Sequence, residues 1–493
     1  MVILSVRRVG LLFYASKLYS VLVGSLFILV VTRNLSVDDY GAWSVISNLL
    51  NYATAATFVN YWITRLRAAG ELSATSTGLT ISLCFATIST SLYALSLSWL
   101  SSTFNVRQSA LLLSAAYIPM LYIVSTLYSS VYGLNPSGAA ISEICFESGK
   151  LIAAVPLALR GEITLEKALA LVLAGYVVQG VSLAYFSRRE ILHKPSRQVA
   201  ARVITLSQIN VSSVVAPLIA SLDVALLSSL TSNISVAFYT VVNPYMNLIS
   251  YSYFLARGLY PALITKKNPD ASALLEEALK LTLLLAIPTT IGATVLAPNL
   301  LYLFRPEYSS AMQVLRLAAF SAMIGSMSGV LSDTLQGLER ADIEGAPLKD
   351  LYKSWIFKIQ TLMFAKVVLG VGGVACVLAF TKDSLNAAVY ARASWLVADT
   401  LAFLILINWL SMKSVFTRIV KNIVRFTAAA LLSSTVAWIL HPLRIREAFL
   451  AVGIGAIVYF VFLYFVDAWF RELARLAFKR VFAFLEPKIN HSG

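Results

Sequence analysis

Charge is what this chain has least of. Only 13% of its 493 residues are Asp, Glu, Lys or Arg, against about 25% in soluble domains, while 58% are hydrophobic. A mean hydropathy of +0.77 over this length excludes a water-soluble globule. Cysteine is nearly missing too: Cys84, Cys145 and Cys376 lie inside apolar runs, with no CxxC pair or Cys/His cluster. That excludes a disulfide framework and a metal site, and the three read as small core residues. There is no Gly-rich loop ending in Lys-Ser or Lys-Thr, so no nucleotide-driven motor is written here. Ten-residue stretches of alternating polarity, the mark of a transmembrane β-barrel, are lacking as well. Loops on one side reach only about thirteen residues, too short for an extracellular domain.

What remains is an all-α integral membrane protein. About fourteen apolar runs have the ~20-residue length that a ~30 Å hydrocarbon core demands. Their centres fall near Leu22, Thr54, Thr87, Leu121, Ala153, Tyr176, Val215, Asn247, Leu284, Met323, Gly370, Leu396, Leu431 and Ala456, the eighth and tenth being the least clean. Ser, Thr, Gly and Ala are scattered through them, as in helices that pack closely. Lys and Arg are in roughly threefold excess on one side, that of the two termini and the even-to-odd loops. Arg65/Arg67, residues 188–202, Lys266/Lys267, residues 340–358 and residues 413–425 are the basic loops. The protein is therefore expected in the cytoplasmic membrane with both termini inside. Its net charge of +15 needs no nucleic acid, because an anionic inner leaflet accounts for it. The apolar run after Arg7-Arg8 carries Lys17 and no Ala-x-Ala site, so it reads as an uncleaved first span. Residues 336–358, with Pro347, form the longest polar stretch, and residues 471–486 form a basic amphipathic tail suited to the inner headgroup region.

One short stretch recurs. Asn34-Leu35-Ser36-Val37-Asp38-Asp39-Tyr40 returns as Asn233-Ile234-Ser235-Val236-Ala237-Phe238-Tyr239, in register to Tyr52 and Tyr251, with about seven of nineteen positions identical. Both copies stand between two apolar runs. A helical membrane chain built twice over is the plan of many secondary transporters.

Thr32-Arg33-Asn34-Leu35-Ser36-Val37-Asp38-Asp39-Tyr40-Gly41 also resembles the "aR-x-Lg-x-x-dyG" turn of Wzx-type polysaccharide flippases, the polysaccharide transporter branch of the MOP superfamily. Asp223, Tyr239 and Leu259-Tyr260-Pro261 resemble that branch's "D…G-x-Y…lyP" signature. Leu303-Phe304, Glu307-Tyr308 and Gly337-Leu338-Glu339-Arg340 continue the likeness. Ser36-Val37 stand where the branch often has Gly-Pro, and Ala237 where it often has Gly. The resemblance implies two pseudo-symmetric six-helix lobes plus two C-terminal helices: residues 1–203, 204–412 and 413–470, followed by the tail 471–493. It implies export of a lipid-linked oligosaccharide by alternating access. No cofactor is expected, and without a nucleotide site the energy is expected from an ion gradient, Na⁺ or H⁺, or from the membrane potential. Other polysaccharide-assembly proteins are the expected partners.

Charges inside spans cost roughly 2.5 to 3.5 kcal/mol each at mid-helix and so mark candidate sites. Glu143, Glu147 and Lys150 follow an i, i+4, i+7 series on one helix face. That face either lines a polar cavity or pairs with itself and its neighbours. Lys17 either snorkels to the surface or faces the groove between lobes. Lys17, Lys150, Arg257 and Arg392 are the candidate partners for the pyrophosphate of the implied substrate. Asp223, alone near mid-span, is either a hydrogen-bond acceptor or an ion-coupling carboxylate. Asp399 falls on the same helix face as Arg392 and is placed to hold it. Glu276, Glu277, Lys280 and Asp467 read as markers of the membrane boundary, and Asp38-Asp39 as turn residues.

Three classes compete: a flippase for lipid-linked oligosaccharide, a drug/cation antiporter or lipid II-type flippase of the same superfamily, and a membrane enzyme of polysaccharide assembly. The mixed, partly basic character of the buried charges favours an anionic substrate. An enzyme would need a larger outer loop or a carboxylate motif at the membrane surface.

Overall fold

The computed structural model describes residues 6–68, 70–207, 211–256, 259, 263, 270–339, 353–410, 412–440 and 444–475. Every regular element among them is helical. The first half holds α1 (Val6–Asn34), α2 (Val37–Ala53), α3 (Asn60–Ala68), α4 (Ala74–Leu95), α5 (Leu97–Phe104), α6 (Gln108–Ala115), α7 (Tyr117–Leu134), α8 (Pro136–Leu159), α9 (Leu165–Phe186), the short α10 (Arg188–Ile191) and α11 (Arg197–Ser207). The second holds α12 (Val211–Ala220), α13 (Leu222–Leu230), α14 (Asn233–Thr240), α15 (Asn243–Ser250), α16 (Ala271–Val295), α17 (Ala297–Phe304), α18 (Met312–Leu338), α19 (Trp355–Leu378), α20 (Ser384–Trp409), α21 (Lys413–Ile439) and α22 (Ile445–Val466).

Each of the fourteen expected centres falls on one of these helices or at a break between two. Among the described residues, nine helical stretches are long and apolar enough to cross a membrane by themselves. The other expected spans are charged or interrupted. The second breaks at Thr54 into a 3-10 turn, Ala55–Val59, and the seventh steps at Ser221. The eighth restarts before Pro244, which cannot donate to the preceding turn, and then tightens into a 3-10 turn, Tyr251–Ala256. The tenth, α18, is one unbroken helix. Two of its serines turn their hydroxyls back on the helix, Ser326 to the Ala322 carbonyl at 2.9 Å and Ser328 to Ile324 at 2.9 Å. The cysteines are a correction. Cys84 and Cys376 are exposed and Cys145 is half-buried, so none of the three is a core residue.

Local chemistry fixes the helix starts. Ser36 caps α2 by accepting from the Asp39 amide, and Asp38 and Asp39 lie in the first turn, where the helix dipole favours them. Asp39 also accepts from the Ser36 hydroxyl at 2.9 Å and from Arg107 at 2.8 Å. Burial, and then the Asp39 charge beside it, push the Asp38 carboxyl above its ordinary value. This pair is structural. Asn135 caps α8 ahead of Pro136, and Asp270 caps α16.

The chain forms two compact units. One comprises residues 1–244 and 360–398, the other 245–359 and 399–493. In the first, the two copies of the recurrent stretch meet: α2 packs on α14, and Ser44 and Thr240 share a hydrogen bond of 3.0 Å. A Cβ on Gly41 would lie 1.9 Å from the Asn233 carbonyl oxygen, so only glycine permits this approach. The copies differ in frame. The second helix begins at Asn233 with Ser232 as cap, about one turn earlier than the aligned Ser36 requires.

Candidate functional site

The first unit carries a buried polar cluster built from three segments. α14 stops at Thr240, which leaves its last carbonyls without helical partners. Arg392, on α20, supplies one: its Nη2 donates to the Tyr239 carbonyl at 2.7 Å and to Asn243 Oδ1 at 2.7 Å. A cation at a helix C-terminus is also favoured by the dipole. The guanidinium stacks 3.7 Å from the Tyr239 ring centroid, a cation–π contact worth about 0.5–2 kcal/mol. Arg392 is 6% exposed, and its Nε makes no hydrogen bond among the described residues.

Tyr239 links this cation to a carboxylate. Its hydroxyl donates to Asp223 Oδ2, to which Trp395 Nε1 also donates at 3.0 Å. The Val224 amide donates to Asp223 Oδ1 at 2.6 Å. Three N–H or O–H donors thus fill most of the roughly four lone-pair positions of a carboxylate. Gly370 on α19 makes room for the indole, since a Cβ there would lie 2.7 Å from Trp395 Cε3. The structure therefore brings Asp223 and Arg392 into one cluster. Asn243 and Trp395 were absent from the sequence candidates; Trp395 follows Arg392 by one helical turn, a spacing the sequence does show.

Asp399 accepts from Ser321 on α18, and the two belong to the second unit while Arg392 belongs to the first. Glu143, Glu147 and Lys150 lie along α8, where it packs on α1. Lys150 Nζ is 2.7 Å from Glu147 Oε2 and lies 4.5 Å and 5.1 Å from the ring centroids of Phe146 and Phe27. Glu147 also lies against Gly24, and Glu143 accepts from Tyr128 at 2.8 Å. These bonds hold α8 to α1 and α7. The Lys17 side chain and Arg257 lie outside the described residues, as do residues 340–352 with Pro347 and the tail beyond 475.

The second unit contains a cavity of about 280 Å³ between α15, α16, α21 and α22. Leu248, Leu285, Pro288, Leu296, Val452 and Phe460 line it, together with the small residues Ser433, Ser434 and Gly455. Asp467, expected at a membrane boundary, is fully buried just past α22, where it accepts from Asn422 and Arg425 at 3.0 Å each. Glu276 binds Lys280 at 2.7 Å and Arg418 at 2.5 Å. Among the described residues no group of His, Cys, Asp or Glu is placed to hold a metal ion.

The fold is similar to that of solved transporter structures. The lipid II flippase MurJ, in an inward closed conformation, superimposes with a TM-score of 0.67 over 94% of this chain and 100% of its own, at 14% identity. An inward-facing MATE-family multidrug resistance transporter of the MOP superfamily gives 0.58 over 82% and 96%, also at 14% identity. The MATE multidrug transporter DinF-BH gives 0.55 over 82% and 94%, again at 14%. No family model and no curated protein matches the sequence.

Proposed function

We propose that the chain is a flippase that moves a polyprenyl-diphosphate-linked oligosaccharide across the cytoplasmic membrane, for assembly of surface polysaccharide or glycoprotein. The observation that carries this reading is the apolar cavity against α21 and α22. A lipid-linked cargo needs an apolar slot for its chain while its polar head crosses by a separate path; a water-soluble drug does not. Arg392, with Lys17 and Arg257, supplies the cations for the diphosphate, Arg392 having a buried Nε still without an acceptor. Glu147 and Lys150 keep α1 and α8 together during the motion. Both termini face the cytoplasm.

Asp223 is the coupling carboxylate in this reading, and the proton is the ion. Its neighbours are donors, which would repel a metal cation but tolerate a proton that replaces one of them. A second reading, a lipid II-type flippase, has support in the MurJ superposition, which takes in more of the chain than either MATE one.

The test is transport in proteoliposomes. Polyprenyl-diphosphate oligosaccharide and lipid II are each supplied, and headgroup exposure is followed with an impermeant glycosidase under a pH gradient or a Na⁺ gradient. Movement of the first substrate, driven by the pH gradient and reduced at least tenfold in Arg392→Ala, supports the proposal. Movement of lipid II alone assigns the second reading. Efflux of a small organic cation with neither lipid moved assigns a drug antiporter.

A further inference from the structure

A second pocket, of about 200 Å³ and open to the surface, lies in the first unit at the end of α9, lined by Tyr185, Phe186, Arg188, Arg189 and Glu190. α9 approaches it with an exposed row of Ala170, Ala174, Val177, Val181 and Tyr185. These recur every three or four residues, so they form one apolar stripe along the helix, turned away from the protein. In a membrane span that stripe faces lipid. α9 ends at Phe186, and the α10 turn then sets Arg188 and Arg189, both exposed, where the stripe stops. The Arg188 guanidinium lies 5.1 Å from the Tyr185 ring centroid.

The charge balance of the pocket is positive. Glu190, its acidic member, is held 3.5 Å from Arg67, which is 1% exposed, so that carboxylate is offset from inside the protein. Arg67 is itself fixed by the Glu71 carbonyl at 2.7 Å. Beyond the pocket, Leu192 is 86% exposed, with Lys194 and Arg197 exposed close after it. A leucine held out among cations gains nothing in water. The same composition is stable where an apolar side chain dips into acyl chains and its basic neighbours meet headgroups.

We infer that this pocket binds the phosphate of an anionic phospholipid. The two guanidinium groups take the phosphate oxygens, for which their planar donor forks are shaped, and the acyl chains run along the Val177–Val181 face. The site depends on the chain spanning a membrane and on nothing about its cargo, so it goes beyond the transport reading.

The full-length protein in detergent is titrated with phosphatidylglycerol, phosphatidylcholine or free glycerol 3-phosphate, and bound lipid is read by native mass spectrometry alongside thermal unfolding. Phosphatidylglycerol is expected to be retained and to stabilise, and the other two are not. R188Q/R189Q should weaken phosphatidylglycerol about tenfold or more, the effect of losing a charge-assisted hydrogen bond. K421Q/R475Q removes the same charge from exposed positions elsewhere and should leave binding unchanged. Equal losses in both variants would reduce the effect to diffuse attraction and overturn the site. So would equal retention of phosphatidylcholine, or stabilisation by glycerol 3-phosphate. If R188Q/R189Q does not fold, R188K/R189K keeps the charge and loses the fork; undiminished binding in it also sinks the proposal. None of these readouts involves transport, so the site and the flippase reading stand or fall separately.

Discussion

Tyr239 engages the protein through three different parts: ring under Arg392, hydroxyl on Asp223, carbonyl on the Arg392 guanidinium. Tyr239→Phe removes only the hydroxyl and leaves a buried carboxylate oxygen short of a donor, at a cost of about 1–3 kcal/mol. Its thermal unfolding should therefore come earlier than wild type. Asp223→Asn added to it should cost less than the two single changes together, because the partner lost in each is the same. Full additivity would show that the hydroxyl and the carboxylate are not coupled. At this scale the sequence exposed the charges and hid their partners. Asp223 and Arg392 announce themselves because charge is costly in a span, but Trp395 meets Asp223 across 172 residues and nothing local marks the meeting. Lys150 shows the reverse: its i, i+3 partner Glu147 was visible, and the two phenyl rings that enclose it are partly so, since Phe146 lies one turn away.

Between elements, the contact of α2 with α14 is the most exacting, because Gly41 has no room for a single added carbon. A Ser44→Cys/Thr240→Cys pair should crosslink under mild oxidation, its parent hydroxyls being 3.0 Å apart. In a Gly41→Ala background the yield should fall severalfold, and in liposomes the crosslink should stop transport until reductant is added. Unimpeded transport in the crosslinked protein would exclude this contact from the cycle. A second element-level prediction concerns Asp467, which ties the end of α22 to α21 through Asn422 and Arg425. Asp467→Ala should destabilise the protein by about 1–3 kcal/mol, the cost of leaving the buried Asn422 amide without its acceptor, and speed proteolysis at the C-terminal end. The repeat was legible in sequence, though not the one-turn frame difference between its copies, which depends on which serine caps. Hydropathy averaged over a span also conceals breaks, since a 3-10 turn such as Ala55–Val59 is as apolar as the helix it interrupts.

For the molecule as a whole, composition alone identified a helical membrane protein, because no soluble fold could hide so much apolar surface. The direction of insertion is a prediction of charge: cysteines placed at Lys194 and Lys421 should react with an impermeant maleimide only after cytoplasmic access is opened. The apolar cavity could not be read from sequence, since its lining comes from separate stretches that are each ordinary span residues. Ala456→Trp should fill it. The expected result is a transport loss of at least tenfold for a long-chain prenyl substrate and little change for one with a truncated lipid, followed in the same liposomes. Equal loss for both would remove the cavity from the transport path.

The breaks at Thr54, Ser221 and Tyr251 have a mechanical consequence. Bending a continuous helix means stretching main-chain hydrogen bonds in a setting that offers no water to replace them. At these three places regular α-helix gives way to a turn or a 3-10 segment, so the spans bend there at lower cost than through unbroken helix. A rocking motion concentrated at these joints would let whole segments turn as rods, leaving cap, ion pair and aromatic contact undisturbed within each.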